Sequence, residues 1–307
     1  TRYIGDWSSD VCSSDLAADG ACYAAKEAGR NRVHVYRADD AMVSQQRDQQ
    51  QWCLRIDQAL ETNRFCLYHQ PIATADGCAR FHRHTELLVR MLDGQGQLVS
   101  PMAFIPAAER YNRMTQIDTW VICRFLKMLS QSQIDSEMLY NINLSGVSLS
   151  DKRFLKFLKR TLSKGSIDPR KICLEITETA AIANLIRATI FMRELKQLGC
   201  QFALDDFGSG MSSFGYLKEL PVDYIKIDGA FIQKLNEPIN RAIVISICNI
   251  GQAMKVKVIA ERVEDARTAT QLKELGVDYV QGHGIAKPMP FLGQHPDAGK
   301  LDRKSVV

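Results

Sequence analysis

The chain has 307 residues, 46% hydrophobic and 24% charged, with 39 Lys and Arg against 35 Asp and Glu, for a formal net charge of +4. Such a composition excludes a disordered chain and a small disulfide scaffold, and the slight basic excess is spread out and not gathered into runs, which argues against a nucleic-acid polymer or an anionic membrane as partner. The nine cysteines include no Cys-x-x-Cys pair and point to a reducing, cytoplasmic setting without zinc; no apolar run reaches the roughly 18 residues that a membrane span needs.

In chain order, Asp6–Leu16 has no hydrophobic period and resembles one reading frame of a sequencing adapter. Asp302–Val307 resembles adapter read-through at the other end, so residues 1–16 and 302–307 are expected to be artefacts and 293–307 a tail. This expectation makes the natural protein longer at its N-terminus, with room for membrane or sensory segments upstream. Residues 17–37 carry a helical pattern closed by Gly29 and a short strand, Val33-His-Val35; the run Ala18–Val33 resembles the final helix and strand of a GGDEF (diguanylate cyclase) domain whose remainder is missing. Residues 38–62 read as a linker helix, polar and Gln-rich at first and amphipathic from Trp52. Strands are expected at 65–72, 82–90, 138–144, 171–176, 200–205, 222–227, 256–260 and 277–280, alternating with helices near 103–110, 115–131, 151–163, 180–198, 210–218, 239–254 and 265–274. Repeated β-then-α units with nearly continuous apolar strands predict a parallel sheet of α/β class, closed into a TIM-like barrel; an open doubly wound sheet is the alternative, but no Gly-rich phosphate turn supports it.

Polar residues recur at the C-terminal ends of these strands: Asn143, Glu175 and Glu178, Asp205 and Asp206, Lys226 and Asp228, Glu261 and Glu264, and Gln281, with Glu86 inside an earlier strand. In a barrel all these ends meet at one rim, where barrel enzymes keep their active sites. A lone acidic residue at a strand end is more often a helix N-cap or a solvated loop residue. Several converging carboxylates are another matter, because unpaired buried negative charge is costly and a divalent cation offsets that cost. The all-oxygen set suits Mg²⁺ or Mn²⁺, and the adjacent Asp205 and Asp206 suit two such ions, the arrangement that clamps a phosphodiester. Lys226 is placed to hold a water or to neutralise charge developing on phosphate.

Nine motifs then appear in order: Tyr68-His-Gln-Pro-Ile72, Glu86-Leu-Leu-Val-Arg90, Phe104-Ile-Pro-Ala-Ala-Glu109, Asn143-Leu-Ser145, Leu174-Glu-Ile-Thr-Glu178, Asp205-Asp-Phe-Gly-Ser-Gly210, Lys226-Ile-Asp228, Ala260-Glu-Arg-Val-Glu264 and Gln281-Gly282. Over residues 63–292 the chain resembles an EAL domain, the bacterial phosphodiesterase that opens cyclic-di-GMP to linear pGpG on a modified TIM barrel. The resemblance implies a metal set of Glu86, Asn143, Glu175, Asp205, Asp206 and Glu261, with Glu86, Lys226 and Glu261 as the catalytic group. It implies substrate contacts from Gln70, Arg90, Asp228, Glu264 and Gln281, and a Glu178 that braces the loop 207–213. A homodimer is a further family expectation.

Two positions depart from the family pattern. The signature triplet reads Glu86-Leu87-Leu88 with leucine in the middle, and Arg262 stands where many relatives have glycine. Neither removes a ligand, so an active enzyme is the expectation. The alternatives are a catalytically inactive module that serves as a cyclic-di-GMP receptor, and a purely regulatory dimerisation module.

Overall fold

The computed structural model describes residues 41–76, 83–131, 138–164, 167–210 and 214–293. The stretches read as adapter sequence, the cyclase remnant and all but the first residue of the tail lie outside the described residues. Among those described, no helix is long and apolar enough to cross a membrane.

Helix α1 (Ala41–Glu61) fills the range read as a linker helix, and its second half turns Ile56 and Ala59 fully into the core. Strand β1 (Phe65–Pro71) follows, and only Ile72 separates it from the two-residue β2 (Ala73–Thr74). Next come β3 (His84–Leu92), β4 (Leu98–Val99), and helices α2 (Pro101–Arg110) and α3 (Met114–Gln131). From there strands and helices alternate: β5 (Leu139–Asn143), α4 (Gly146–Ser150), α5 (Lys152–Leu162), β6 (Ile172–Thr177), α6 (Glu178–Ala183), α7 (Leu185–Lys196) and β7 (Gln201–Phe207). The last part holds β8 (Tyr224–Ile227), α8 (Gly229–Gln233), α9 (Pro238–Met254), β9 (Lys257–Ala260), α10 (Ala266–Glu274), β10 (Tyr279–Val280) and β11 (Met289–Pro290).

The strands form one curled sheet in the order β11-β1-β3-β5-β6-β7-β8-β9-β10-β2. From β3 through β10 neighbouring strands run parallel. Because β1 pairs with β3 while β2 pairs with β10, the stretch 65–74 touches both ends of the path and closes the ring. The fold is a TIM-like α/β barrel.

Three expectations are corrected. The first strand is antiparallel to β3, with Phe65 opposite Met91 and Gln70 opposite Glu86, because the connection between them, part of it taken up by β2, is too short for a crossover helix. The expected helix at 180–198 is two helices, broken at Asn184, whose backbone leaves the helical region while its side chain caps Arg187. The expected helix at 210–218 is a 3₁₀ turn over Phe214–Glu219, with 211–213 outside the described residues.

Candidate active site

Side chains two apart on a strand share a face, so each inward-facing strand contributes to stacked layers inside the ring. The upper layer holds Glu86, Asn143, Glu175, Asp205 and Lys226, and the chain leaving β9 and β10 adds Glu261 and Gln281. Two residues down the same strands lie His84, Asn141, Tyr224 and Tyr279; the three rings pack together, that of His84 lying 5.2 Å from Tyr224 and 5.7 Å from Tyr279.

Lys226 has no exposed surface and sits at the centre of the upper layer. Its Nζ lies 2.7 Å from Glu261 Oε1, 3.0 Å from Glu175 Oε2, 3.2 Å from Asp205 Oδ1 and 3.5 Å from Glu86 Oε2. Amides orient the remaining oxygens. Asn143 Nδ2 donates to Glu86 Oε1 at 2.6 Å, Gln281 Nε2 donates to Glu86 Oε2 at 2.6 Å and to Gln70 Oε1 at 3.2 Å, and Gln70 Nε2 donates to the Ala286 carbonyl at 2.9 Å.

Four carboxylates around one ammonium, three buried and Glu261 partly exposed, leave excess negative charge. Burial opposes the charged form of Lys226, yet the surrounding carboxylates outweigh it and raise its pKa well above the ordinary range. Burial likewise pushes Glu86 up, but Lys226 and the two amide donors bring it below its usual value. Glu175 and Glu261 remain in excess: burial, then the neighbouring negative charges, hold Glu175 well above its ordinary value and push Glu261 up to about 8, against the pull of Lys226.

Asp205 and Asp206 are adjacent, so in a regular strand they would face opposite sides. The pairing of β7 with β8 shifts register between Leu204 and Phe207, and Asp206 adopts φ 52, a left-handed conformation that aspartate tolerates better than most residues. The bulge brings both carboxylates to the mouth, where oxygens of Asp205, Asp206 and Glu261 lie within 4.8 Å of one another. The side-chain oxygen of Gln281 is also buried there without a hydrogen-bond partner. An all-oxygen donor set with surplus negative charge fits a hard divalent cation.

These strands carry a recognisable identity. A profile of the EAL domain matches residues 54–288. The chain belongs to the EAL domain family. It is 41% identical over 276 residues to the cyclic di-GMP phosphodiesterase PdeB of Shewanella oneidensis, and 37% identical over 240 residues to the cyclic di-GMP phosphodiesterase PdeF of Escherichia coli. Those matches cover 89% and 78% of this chain but 32% of each relative, so the chain spans about a third of the length of these curated relatives. Among solved structures it is similar to the FimX EAL domain of Pseudomonas aeruginosa bound to c-di-GMP, with a TM-score of 0.71 at 32% identity, covering 77% of this chain and 96% of that one.

The remaining expected site residues of this EAL domain divide between this mouth and its surroundings. A cavity of about 390 Å³ is lined by Gln70, Glu86, Glu261, Arg262, Glu264 and Gln281, among others. Asp228 caps α8 by accepting from Ala230 N at 2.9 Å, and its negative charge adds to the burial that raises the Asp206 carboxyl. Arg90 lies on the same face of β3 as Glu86 but about 13 Å along the strand; its guanidinium sits 5.6 Å over the Tyr68 ring and donates to the Val89 carbonyl at 2.9 Å. Glu178 is buried at the foot of the loop after Asp206, where it accepts from Gly208 N at 2.9 Å and from the Tyr216 hydroxyl.

Sequence reasoning missed the layer beneath. His84 bonds to Asn141 Oδ1 and Asn141 Nδ2 donates to Glu175 Oε1, so the amide direction makes His84 Nε2 the donor. Burial holds the imidazole pKa down at about 4, so the ring is neutral at physiological pH. The signal was present: Asn141 is two residues before Asn143, on the same face.

Proposed function

We propose that this EAL domain hydrolyses one phosphodiester of cyclic-di-GMP to give linear pGpG with the help of divalent cations, Mg²⁺ or Mn²⁺. The observation that carries the reading is the convergence of Glu86, Glu175, Asp205 and Glu261 on the fully buried ammonium of Lys226. In this reading Glu86, Asn143, Glu175, Asp205, Asp206 and Glu261 hold two cations. When bound, such ions polarise the phosphoryl oxygens and lower the pKa of water.

The protein's own groups supply the rest. Lys226 is kept charged by its neighbours and donates from Nζ to the attacking water or to the phosphate as it gains charge. Glu86 and Glu261, both within reach of Nζ, fix the ammonium in place and complete the catalytic group. Gln70 and Gln281, tied to each other and to the Ala286 carbonyl, form a stiff floor for substrate, with Arg90, Asp228 and Glu264 around it. Glu178 holds the loop after Asp206 against the rim through Gly208 and Tyr216. A homodimer in the cytoplasm belongs to the same reading on the family resemblance, and light scattering on the purified chain checks its mass.

The test is direct. Purified protein with Mg²⁺ or Mn²⁺ should convert cyclic-di-GMP to pGpG, followed by chromatography, and chelation should stop it. Tight binding of cyclic-di-GMP without any product under either ion would replace this reading with the receptor reading.

A further inference from the structure

We propose that Arg262 is an additional substrate-binding residue of this mouth, a guanidinium set to grip the phosphate of the dinucleotide that is not being cleaved. The inference rests on the function proposed above.

Arg262 directly follows Glu261 and lines the same cavity as Glu86 and Gln281. Its backbone sits at φ 51, a region that L side chains rarely adopt and that costs energy for an arginine. The loop is held in that conformation from the neighbouring connection: Val263 N donates to the Gln281 carbonyl at 2.9 Å, and Gly284 N donates to the Val263 carbonyl at 2.9 Å. Gly282 permits this approach, since a Cβ there would lie 2.1 Å from the Val263 carbonyl oxygen.

A second concession serves the same side chain. A Cβ on Gly229 would lie 2.3 Å from Arg262 Cδ and 2.5 Å from Cγ, so the aliphatic stem crosses the space that any other residue at 229 would fill. The unusual backbone at 262 and the missing side chain at 229 come from distant parts of the sequence. Together they give one orientation.

What that orientation presents is a cation without a partner. Arg113 and Arg170 are each paired with an aspartate at 2.8 Å, whereas Arg262 makes no hydrogen bond or ion pair among the described residues. It is exposed at the rim, and its positive charge opposes the burial that raises Asp206. A planar guanidinium matches the two free oxygens of a phosphodiester in a bidentate grip. Lys226 and the carboxylates lie deep in the ring and address the reacting phosphate. The rim-mounted Arg262 is placed for the other one, a contact made equally in ground and transition states, which lowers KM and leaves kcat alone.

The experiment is steady-state kinetics on the full chain with cyclic-di-GMP and Mn²⁺. Arg262→Gly should raise KM about 10-fold, with kcat within about twofold. Its thermal midpoint should be no lower than wild type, because glycine accepts φ 51 freely. Gly229→Ala should raise KM by a similar factor by pushing the stem aside, and the combined variant should be no worse than Arg262→Gly alone. An active wild type with an unchanged KM in Arg262→Gly overturns the proposal, as does a loss confined to kcat or strict additivity of the two changes. A wild type that neither hydrolyses nor binds cyclic-di-GMP removes the underlying function as well, which separates the two failures.

Discussion

Carboxylates in two parts of this barrel are treated in opposite ways. Asp118, on α3, is buried beneath the 143–148 turn, where its Oδ2 accepts from Ser145 Oγ at 2.7 Å and Ser145 N at 3.1 Å. Burial pushes its pKa up to about 6, while these serine donors pull the other way. No cation is paired with it among the described residues, and its oxygens are met by neutral donors. At the mouth, four carboxylates crowd around a single ammonium and two of them stay far above their ordinary pKa. One arrangement completes a fold. The other keeps surplus negative charge on Glu175 and Glu261, the condition that a bound cation would offset.

The sharpest way to break the contrast is to remove the ammonium. Lys226→Met keeps most of the volume and should lower turnover by about 10³-fold. Stability should fall by about 3–5 kcal/mol, since the carboxylates lose their buried counter-charge. Retained turnover in a folded variant would show that Lys226 only fills space. Divalent cations supply the next largest effect. At about 100 times its Kd, Mg²⁺ or Mn²⁺ should add about 2.7 kcal/mol of stability in calorimetry. Asp206→Asn should weaken that response and Asp118→Asn should leave it alone; equal responses in both would dissolve the distinction between the two regions.

A smaller effect tests the layer beneath. Asn141→Leu removes the donor to Glu175 and should cost about 10-fold in activity or in metal affinity. An unchanged rate would mean that Lys226 alone aligns Glu175. Asp118 tests the other side of the contrast. Its folded pKa of about 6 lies above the ordinary 3.8, so between these values the folded protein binds more protons than the unfolded chain. The Asp118 contribution to stability therefore falls as pH rises from about 4 to about 6 and levels off above, by roughly 2–3 kcal/mol in all. Asp118→Asn should flatten that slope in denaturant titrations across the window.

Much of this was legible in the chain because its information is local. Ile225-Lys-Ile227 and Val258-Ile-Ala260 are short apolar runs with chemistry at or just beyond their ends, and period two assigns their faces. The ring interior follows from counting. What was not legible depends on partners far away in sequence. The inward turn of Asp206 needs the register shift against β8, the antiparallel course of β1 is set by a connection too short for a helix, and the lane for Arg262 exists because of a glycine 33 positions earlier. No window of neighbouring residues contains any of these.

The closure of the ring through residues 65–74 also bears on how the polypeptide reaches this shape. Those residues must find β3 within some twenty positions and β10 some two hundred positions later, so the last seam cannot be sewn until nearly the whole domain has left the ribosome. A nascent chain stopped before Tyr279 presents an unpaired strand edge on either side of the gap, which is an invitation to chaperones and to aggregation alike. For this protein, synthesis and folding are separated in time by its own topology.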